Sequence, residues 1–222
     1  MSERIDTEMV LDFYRRGVFP MADSREDETL FLISPAERGV LPLRGFHIPR
    51  RLKRTVRQMP YKVTVDTAFN RVIDACAEEQ PDRPTTWINT QIQNIYGALH
   101  REGHAHSIEC WNDEGQLVGG LYGVKLGAAF FGESMFSRAT DASKIALVHL
   151  VARLIEGGFD LLDAQFHNPH LEQFGLQEIP KAEFMVMLKA ALSREADFYS
   201  SGAAGVDGLT GERSVHLITQ TS

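Results

Sequence analysis

Cysteine is scarce in this chain, and long apolar runs are absent. Only Cys76 and Cys110 occur among 222 residues. Neither has metal-type pairing or a disulfide framework, so both read as core residues of a reducing compartment. No stretch approaches the roughly 18 apolar residues of a membrane span. The start Met1-Ser2-Glu3-Arg4-Ile5-Asp6 lacks a basic region followed by an apolar run, so a cytoplasmic location is expected. Also missing are a Walker-type phosphate loop, a dinucleotide glycine fingerprint and Cys/His zinc spacing, which takes weight from nucleotide-driven and metal-driven chemistry. His104 and His106 sit two apart and could share a strand face. A metal site would need a third ligand, so a structural role is expected for both. Ser134 and Ser137 have no suitably spaced histidine and acid, and a serine hydrolase is not expected. What remains, with 43% hydrophobic content, is a chain able to bury a full core.

One stretch lacks acid altogether. Residues 44–62 carry seven Lys or Arg and no Asp or Glu, while the whole chain has a net charge of -7, so the remainder carries -14. Taken as a helix opening at Pro49, this stretch places Arg50, Lys53, Arg54 and Arg57 along one side and Leu52 and Val56 on the other. A cationic face docked through an apolar seam is expected either to meet phosphates or to be a solvated helix surface, and the absence of interleaved acids speaks for the first.

Residues 1–60 read as a small N-terminal α+β domain: a helix over 8–16, a polar loop over 22–28, strands near 30–33 and 40–43, then the basic helix. A larger domain is expected over 61–198. It opens with a strand at 61–65, a helix capped by Asp66 and running to 79, a Pro-rich link at 81–84, and a helix over 90–101. An antiparallel meander follows at 106–111, 117–124 and 128–131. Asp141 is expected to cap a helix over 142–155, and a strand at 161–166 and a last helix over 180–192 complete the set. Residues 199–222 read as a flexible C-terminal tail, Gly/Ala/Ser-rich over 200–207, with 215–218 a possible docking strand. The fold class is therefore α+β, and the meander followed by helix and strand resembles an acetyltransferase-like (GNAT-like) mixed sheet with flanking helices.

The most informative run is Phe130-Phe131-Gly132-Glu133-Ser134-Met135-Phe136-Ser137, which drives a carboxylate into an apolar segment, where an ionised group is costly unless paired. Strand alternation puts Phe131, Glu133 and Met135 on one face. In Leu161-Leu162-Asp163-Ala164-Gln165-Phe166 the two-residue spacing projects Asp163 and Gln165 from one face. Two acids and an amide are thus expected to converge on one pocket. The alternative is that they are buried structural acids bonded to backbone or to an arginine. Residues 137–143 lack the glycine pair that would open backbone amides toward a pyrophosphate, so coenzyme A is not the expected donor.

The segments His104-Ala105-His106-Ser107-Ile108-Glu109, Gly119-Gly120-Leu121-Tyr122-Gly123, Gly132-Glu133-Ser134-Met135-Phe136-Ser137, Ala142-Ser143-Lys144 and Glu178-Ile179-Pro180 closely resemble the bacterial leucyl/phenylalanyl-tRNA–protein transferases. The resemblance implies an aminoacyltransferase that moves leucine or phenylalanine from aminoacyl-tRNA to the N-terminal Arg or Lys of a protein. The product would be marked for degradation by the N-end rule, and neither metal nor coenzyme would be used. It implies that Leu121, Phe130, Met135, Leu150 and Leu162 form the leucyl or phenylalanyl pocket. Glu133, Asp163 and Gln165 would act at the reaction centre, and Trp87 would lie near the terminal adenosine of the tRNA. Where the family often carries Trp-Trp before Ser-Pro, this chain has Leu32-Ile33 before Ser34-Pro35, which removes an aromatic platform for the adenine. The competing expectations are an acyl-CoA-dependent N-acyltransferase and a non-enzymatic RNA-binding protein resting on the basic helix.

Overall fold

The computed structural model describes residues 5–79 and 85–221, so the expected Pro-rich link at 81–84 lies outside the described residues. Asp6 accepts a hydrogen bond from the Met9 amide at 2.8 Å and opens α1 (Thr7–Arg15). β1 (Phe19–Met21) and β2 (Phe31–Ile33) make a separate antiparallel ribbon. Then come β3 (Glu37–Leu41), α2 (Arg50–Gln58), β4 (Lys62–Val65), α3 (Phe69–Cys76), α4 (Thr90–Arg101), β5 (Ala105–Trp111), β6 (Leu117–Leu126) and β7 (Ala129–Ser137). The chain continues through α5 (Ala142–Glu156), β8 (Leu161–Gln165), α6 (Pro169–Glu172), β9 (Gln177–Pro180), α7 (Lys181–Leu192), β10 (Gly205–Val206) and α8 (Gly211–Gln220).

The main sheet runs β10-β4-β5-β6-β7-β8-β3-β9. Every pairing in it is antiparallel except β7 with β8. A parallel pair needs a crossover, and α5 supplies it. This helix has apolar residues around nearly its whole circumference, including Ile145, Leu147, Val148, Leu150, Val151 and Leu154, and it is correspondingly buried. Gly119 on β6 permits its approach, because a side-chain carbon there would collide with Ala142. Two apolar layers sandwich the sheet. One joins α2, α5 and α8 through Leu52, Val56, Leu150, Val215 and Ile218. The other joins α1, α3, α4 and α7 through Tyr14, Val72, Tyr96 and Phe184.

The mixed α+β class expected from the sequence stands, with helices on both faces of a mixed sheet. Several finer expectations do not. A boundary at residue 60 does not divide the packing: β3 lies between β8 and β9 in the main sheet, and α2 packs on α5 and α8. Residues 199–221, expected as most of a flexible tail over 199–222, are instead tied down. Arg153 donates to the carbonyls of Phe198 at 2.8 Å and Gly202 at 3.1 Å, Asp207 joins His149 and Arg153, and the expected strand at 215–218 is part of α8. The three-residue spacing of Val215 and Ile218 suits a helix, and both are fully buried. Asp66 does not cap α3. It takes a positive φ of 55° and accepts from His106 Nδ1 at 2.8 Å and the Ser107 amide at 2.7 Å. That contact gives His106 the structural role expected of it. Asp141 precedes α5 without a capping bond from its side chain.

Candidate active site

β7 and β8 pair only over Ala129–Phe131 and Leu161–Asp163. Beyond Asp163 the strands part, β7 staying with β6 and β8 with β3, and the polar side chains gather at the opening. Each strand carries a local irregularity there. On β7, Tyr122 faces Ser134 and Gly123 faces Gly132, so Glu133 is the extra residue of a β-bulge. On β8, Val40 faces Asp163 and Gly39 faces Gln165, so Ala164 is extra. Gln165 takes a left-handed φ of 63°, a conformation that costs a non-glycine residue roughly 1–3 kcal/mol.

The bulge overturns the alternation expected of β7. Phe131 packs in the α1/α4 layer while Met135 packs against the α5 layer, so the two lie on opposite faces. One additional residue reverses every side chain beyond it. Glu133 sits at the reversal and turns toward α1 and α4. Its Oε1 accepts from Tyr14 at 2.6 Å and from Gln165 Nε2 at 2.8 Å, and its Oε2 accepts from Tyr96 at 3.2 Å. Tyr14 and Tyr96 also touch hydroxyl to hydroxyl.

Asp163 is fully buried and has a different set of partners. Arg38 on β3 grips it through Nε at 2.9 Å and Nη2 at 2.5 Å, and its Oδ1 accepts from the Gln165 amide at 2.8 Å. Arg38 donates further to the Gly17 carbonyl at 3.0 Å and lies over the rings of Phe19 and Phe184. Burial pushes the Asp163 carboxyl up, and the bidentate guanidinium opposes that shift. Burial also raises Glu133, to about 8; the Tyr14 and Tyr96 bonds and the charge of Arg38 pull against it, while the charge of Asp163 adds to it. The centre therefore holds one acid gripped by a guanidinium and one acid whose partners are two hydroxyls and an amide.

A cleft of about 270 Å³ adjoins this cluster. Of the residues expected to form an apolar pocket, Leu121, Met135, Leu150 and Leu162 line it, together with Glu133, Asp163 and Trp87. Phe130 does not. It lies in the core beyond the cleft, stacked on Phe198 with centroids 5.6 Å apart. Gln165 contacts Glu133 without lining the cleft. Leu41, Tyr122, Leu147 and Leu171 also line it, with Gly132, Ser134, Ala164 and Asn168, and were not anticipated. Leu147 lies one helical turn before Leu150, a spacing that could have flagged it. Tyr14, Tyr96 and Arg38 were also missed. A lone Arg before the apolar residues of β3 was the only local sign of any of them. A larger cleft of about 910 Å³ between residues 25–28 and α4 holds none of the expected site residues.

The basic helix takes the expected orientation. Leu52 and Val56 are buried, Arg50, Arg54 and Arg57 are exposed and Lys53 is half-buried. Arg57 has Glu212 of α8 at 3.6 Å. At the position of the missing aromatic pair, Leu32 is half exposed and Ile33 packs partly into the core. Among the described residues, no three His, Cys, Asp or Glu side chains gather as metal ligands would.

Residues 40–189 match the family described as leucyl/phenylalanyl-tRNA protein transferase. Proteins bearing that name are similar over nearly the whole chain. The one from Hyphomonas neptunium is 64% identical across 98% of this chain and 82% of its own length. The one from Phenylobacterium zucineum is 59% identical across 98% of both. That from Caulobacter vibrioides is 59% identical across 94% of this chain and 97% of its own.

Proposed function

The chain belongs to the leucyl/phenylalanyl-tRNA–protein transferase family, and from that premise we propose that Glu133, Asp163 and Gln165 form the reaction centre of its aminoacyl transfer from tRNA to protein. The observation that carries this reading is the opening of that polar cluster into an apolar cleft sized for one side chain. The donors are leucyl-tRNA and phenylalanyl-tRNA, whose side chains lie against Leu121, Met135, Leu150 and Leu162, with Phe130 supporting the floor from behind. The acceptors are proteins beginning with Arg or Lys, the product is a degradation signal, and the reaction takes place in the cytoplasm.

An aminoacyl ester is already activated, so the protein has to place an amine against its carbonyl and favour the oxyanion that forms. Gln165 donates its amide N–H to Glu133, which turns its amide oxygen toward the attacking amine. Asp163 has its charge met by Arg38 and acts through the Gln165 backbone, holding the left-handed turn that aims the amide. Glu133 faces the positive charge of the acceptor or donor amine. Trp87, in the cleft wall, lies by the terminal adenosine, and Arg50, Lys53, Arg54 and Arg57 meet the tRNA backbone, where phosphate contacts bind without reading sequence.

Charged leucyl-tRNA and an Arg-starting peptide, with acetyl-CoA as a parallel donor, test the reading. Leucine on the peptide supports it. Acetyl on the peptide would make the protein a CoA-dependent acyltransferase, and tRNA binding without product would make it an RNA-binding protein.

A further inference from the structure

α2 carries its cationic face on a seat built by the C-terminal helix. α8 lies beyond residues 40–189, which match the transferase family, and the mechanism above gives it no part. Its Val215 and Ile218 are fully buried and share one apolar cluster with Leu52 and Val56 of α2. With Leu52 and Val56 turned inward, Arg50, Arg54 and Arg57 face outward. Whatever fixes this seam therefore fixes the direction in which the cations point.

The two helices approach most closely at the C-terminal end of α2. Gly211, the first residue of α8, lies against the Val56 carbonyl, and a side-chain carbon there would collide with that backbone oxygen. Gly211 is helical, so glycine provides space here and not an unusual conformation. Its N–H donates to Met59 Sδ at 3.1 Å. Met59 ends α2 in the left-handed region, with a φ of 49°, which a non-glycine residue keeps only where its surroundings impose it. The ionic contact of Arg57 with Glu212 at 3.6 Å is solvent-exposed, so packing carries the seat.

α8 is itself anchored. Thr210 caps it by accepting from the Arg213 amide at 3.2 Å, and Asp207 is bound to His149 and Arg153 of α5. α5 also supplies Leu147 and Leu150 to the wall of the reaction cleft. The same helix thus holds the cleft wall and, through Asp207 and α8, the seat of α2.

We propose that α8 positions α2 for the tRNA donor, with Gly211 as the positioning residue: the seat holds the cations where they meet the tRNA backbone while the aminoacyl end lies in the cleft. This rests on the transferase reading and on the assignment of α2 to tRNA. Two sites on one ligand reinforce each other only when both can be occupied at once. A tilted α2 forfeits the second site, and the donor then binds by its aminoacyl end alone.

The test is steady-state kinetics of Gly211→Ala on leucyl-tRNA and on phenylalanyl-adenosine, each with an Arg-starting peptide. Alanine favours a helix more than glycine does, so any loss comes from the collision with Val56 and not from α8 itself. The variant should raise the KM for leucyl-tRNA roughly tenfold with kcat unchanged, and flatten the salt dependence of tRNA binding. Both constants for phenylalanyl-adenosine should stay at the wild-type values. Val215→Ala, which thins the same seam, should move the tRNA KM the same way by less, and it decides alone should Gly211→Ala fail to fold. A loss shared equally by the two donors, or a tRNA KM that does not move, would overturn the proposal. Arg50→Glu with Arg54→Glu separates this failure from that of the underlying reading. Unchanged tRNA binding in that double variant would overturn the assignment of α2, whereas weakened binding there beside an unmoved Gly211→Ala would overturn the seat alone. A wild type that transfers nothing from any donor would overturn the transferase reading.

Discussion

Two buried polar clusters in this protein differ by one cation. In the first, Asp207 accepts from His149 Nδ1 at 2.6 Å and from Arg153 Nη2 at 2.5 Å, and Arg153 also binds the carbonyls of Phe198 and Gly202. One acid meets one guanidinium and one imidazole, and the result fastens the C-terminal segment to α5. Burial would raise Asp207, yet the His149 bond and the charges of His149 and Arg153 hold it below the ordinary carboxylate range. In the second, Glu133 and Asp163 share a single guanidinium, which Asp163 takes. Glu133 is left with hydroxyls and an amide, and burial raises it instead. An acid with cationic partners of its own has nothing left for a passing amine, whereas two acids with one guanidinium between them leave one acid to receive it.

Substitutions can break this comparison. The largest expected effect is on the fastener: Asp207→Ala leaves Arg153 buried without its partner and should cost about 3–5 kcal/mol in a urea unfolding series. The kcat of the folded fraction should stay unchanged. Gln165→Ala should do the reverse, lowering kcat roughly 100-fold or more while tRNA affinity in a filter-binding assay and the unfolding midpoint barely move. Asp163→Ala should combine both losses, because it frees the Gln165 backbone and strands Arg38.

A smaller effect is expected in the cleft. Met135→Ala and Leu162→Ala should raise the KM for leucyl and phenylalanyl donors, with each lost methylene worth about 1–3 kcal/mol. Leu121→Phe should penalise phenylalanine more than leucine in a donor competition, since a filled cleft excludes the larger ring first. Smallest per residue is α2. Arg50→Glu with Arg54→Glu should weaken every tRNA about equally and flatten the salt dependence of binding, while phenylalanyl-adenosine remains a donor. Loss of the short donor as well would make α2 a support of the active site.

The polar centre was legible because Asp163 and Gln165 are two residues apart on an apolar strand, and that spacing survives the Ala164 bulge well enough to keep both on the Glu133 side. The reversal at Glu133 was not legible, since an extra residue in a strand leaves no mark on an alternating pattern that continues on both sides of it. Tyr14, Tyr96 and Arg38 reach Glu133 or Asp163 across 119, 37 and 125 residues of chain, a pairing that no local rule supplies. α4 matched its expected bounds, with Asn89 capping the Ile92 amide at 2.8 Å. The C-terminal segment was misread because Gly, Ala and Ser predict mobility only when nothing anchors them, and its anchor is Asp207, bound to two residues of α5.

The difference of one cation is tested most directly by stability against pH. Glu133 sits at about 8 in the folded protein against an ordinary 4.5, so its contribution is fully present below 4.5 and is lost as pH rises toward 8, at up to about 1.4 kcal/mol per unit. Asp207 is depressed, so its contribution is present above its unfolded value and is lost on acidification. Urea unfolding of the wild type, Glu133→Gln and Asp207→Asn from pH 3 to 9 separates the two. The account predicts that the wild type loses stability relative to Glu133→Gln between about pH 5 and 8, and that its advantage over Asp207→Asn shrinks only at the acid end. A wild type that runs parallel to Glu133→Gln across the whole range would show that Glu133 is ionised like an ordinary carboxylate, and would contradict the account.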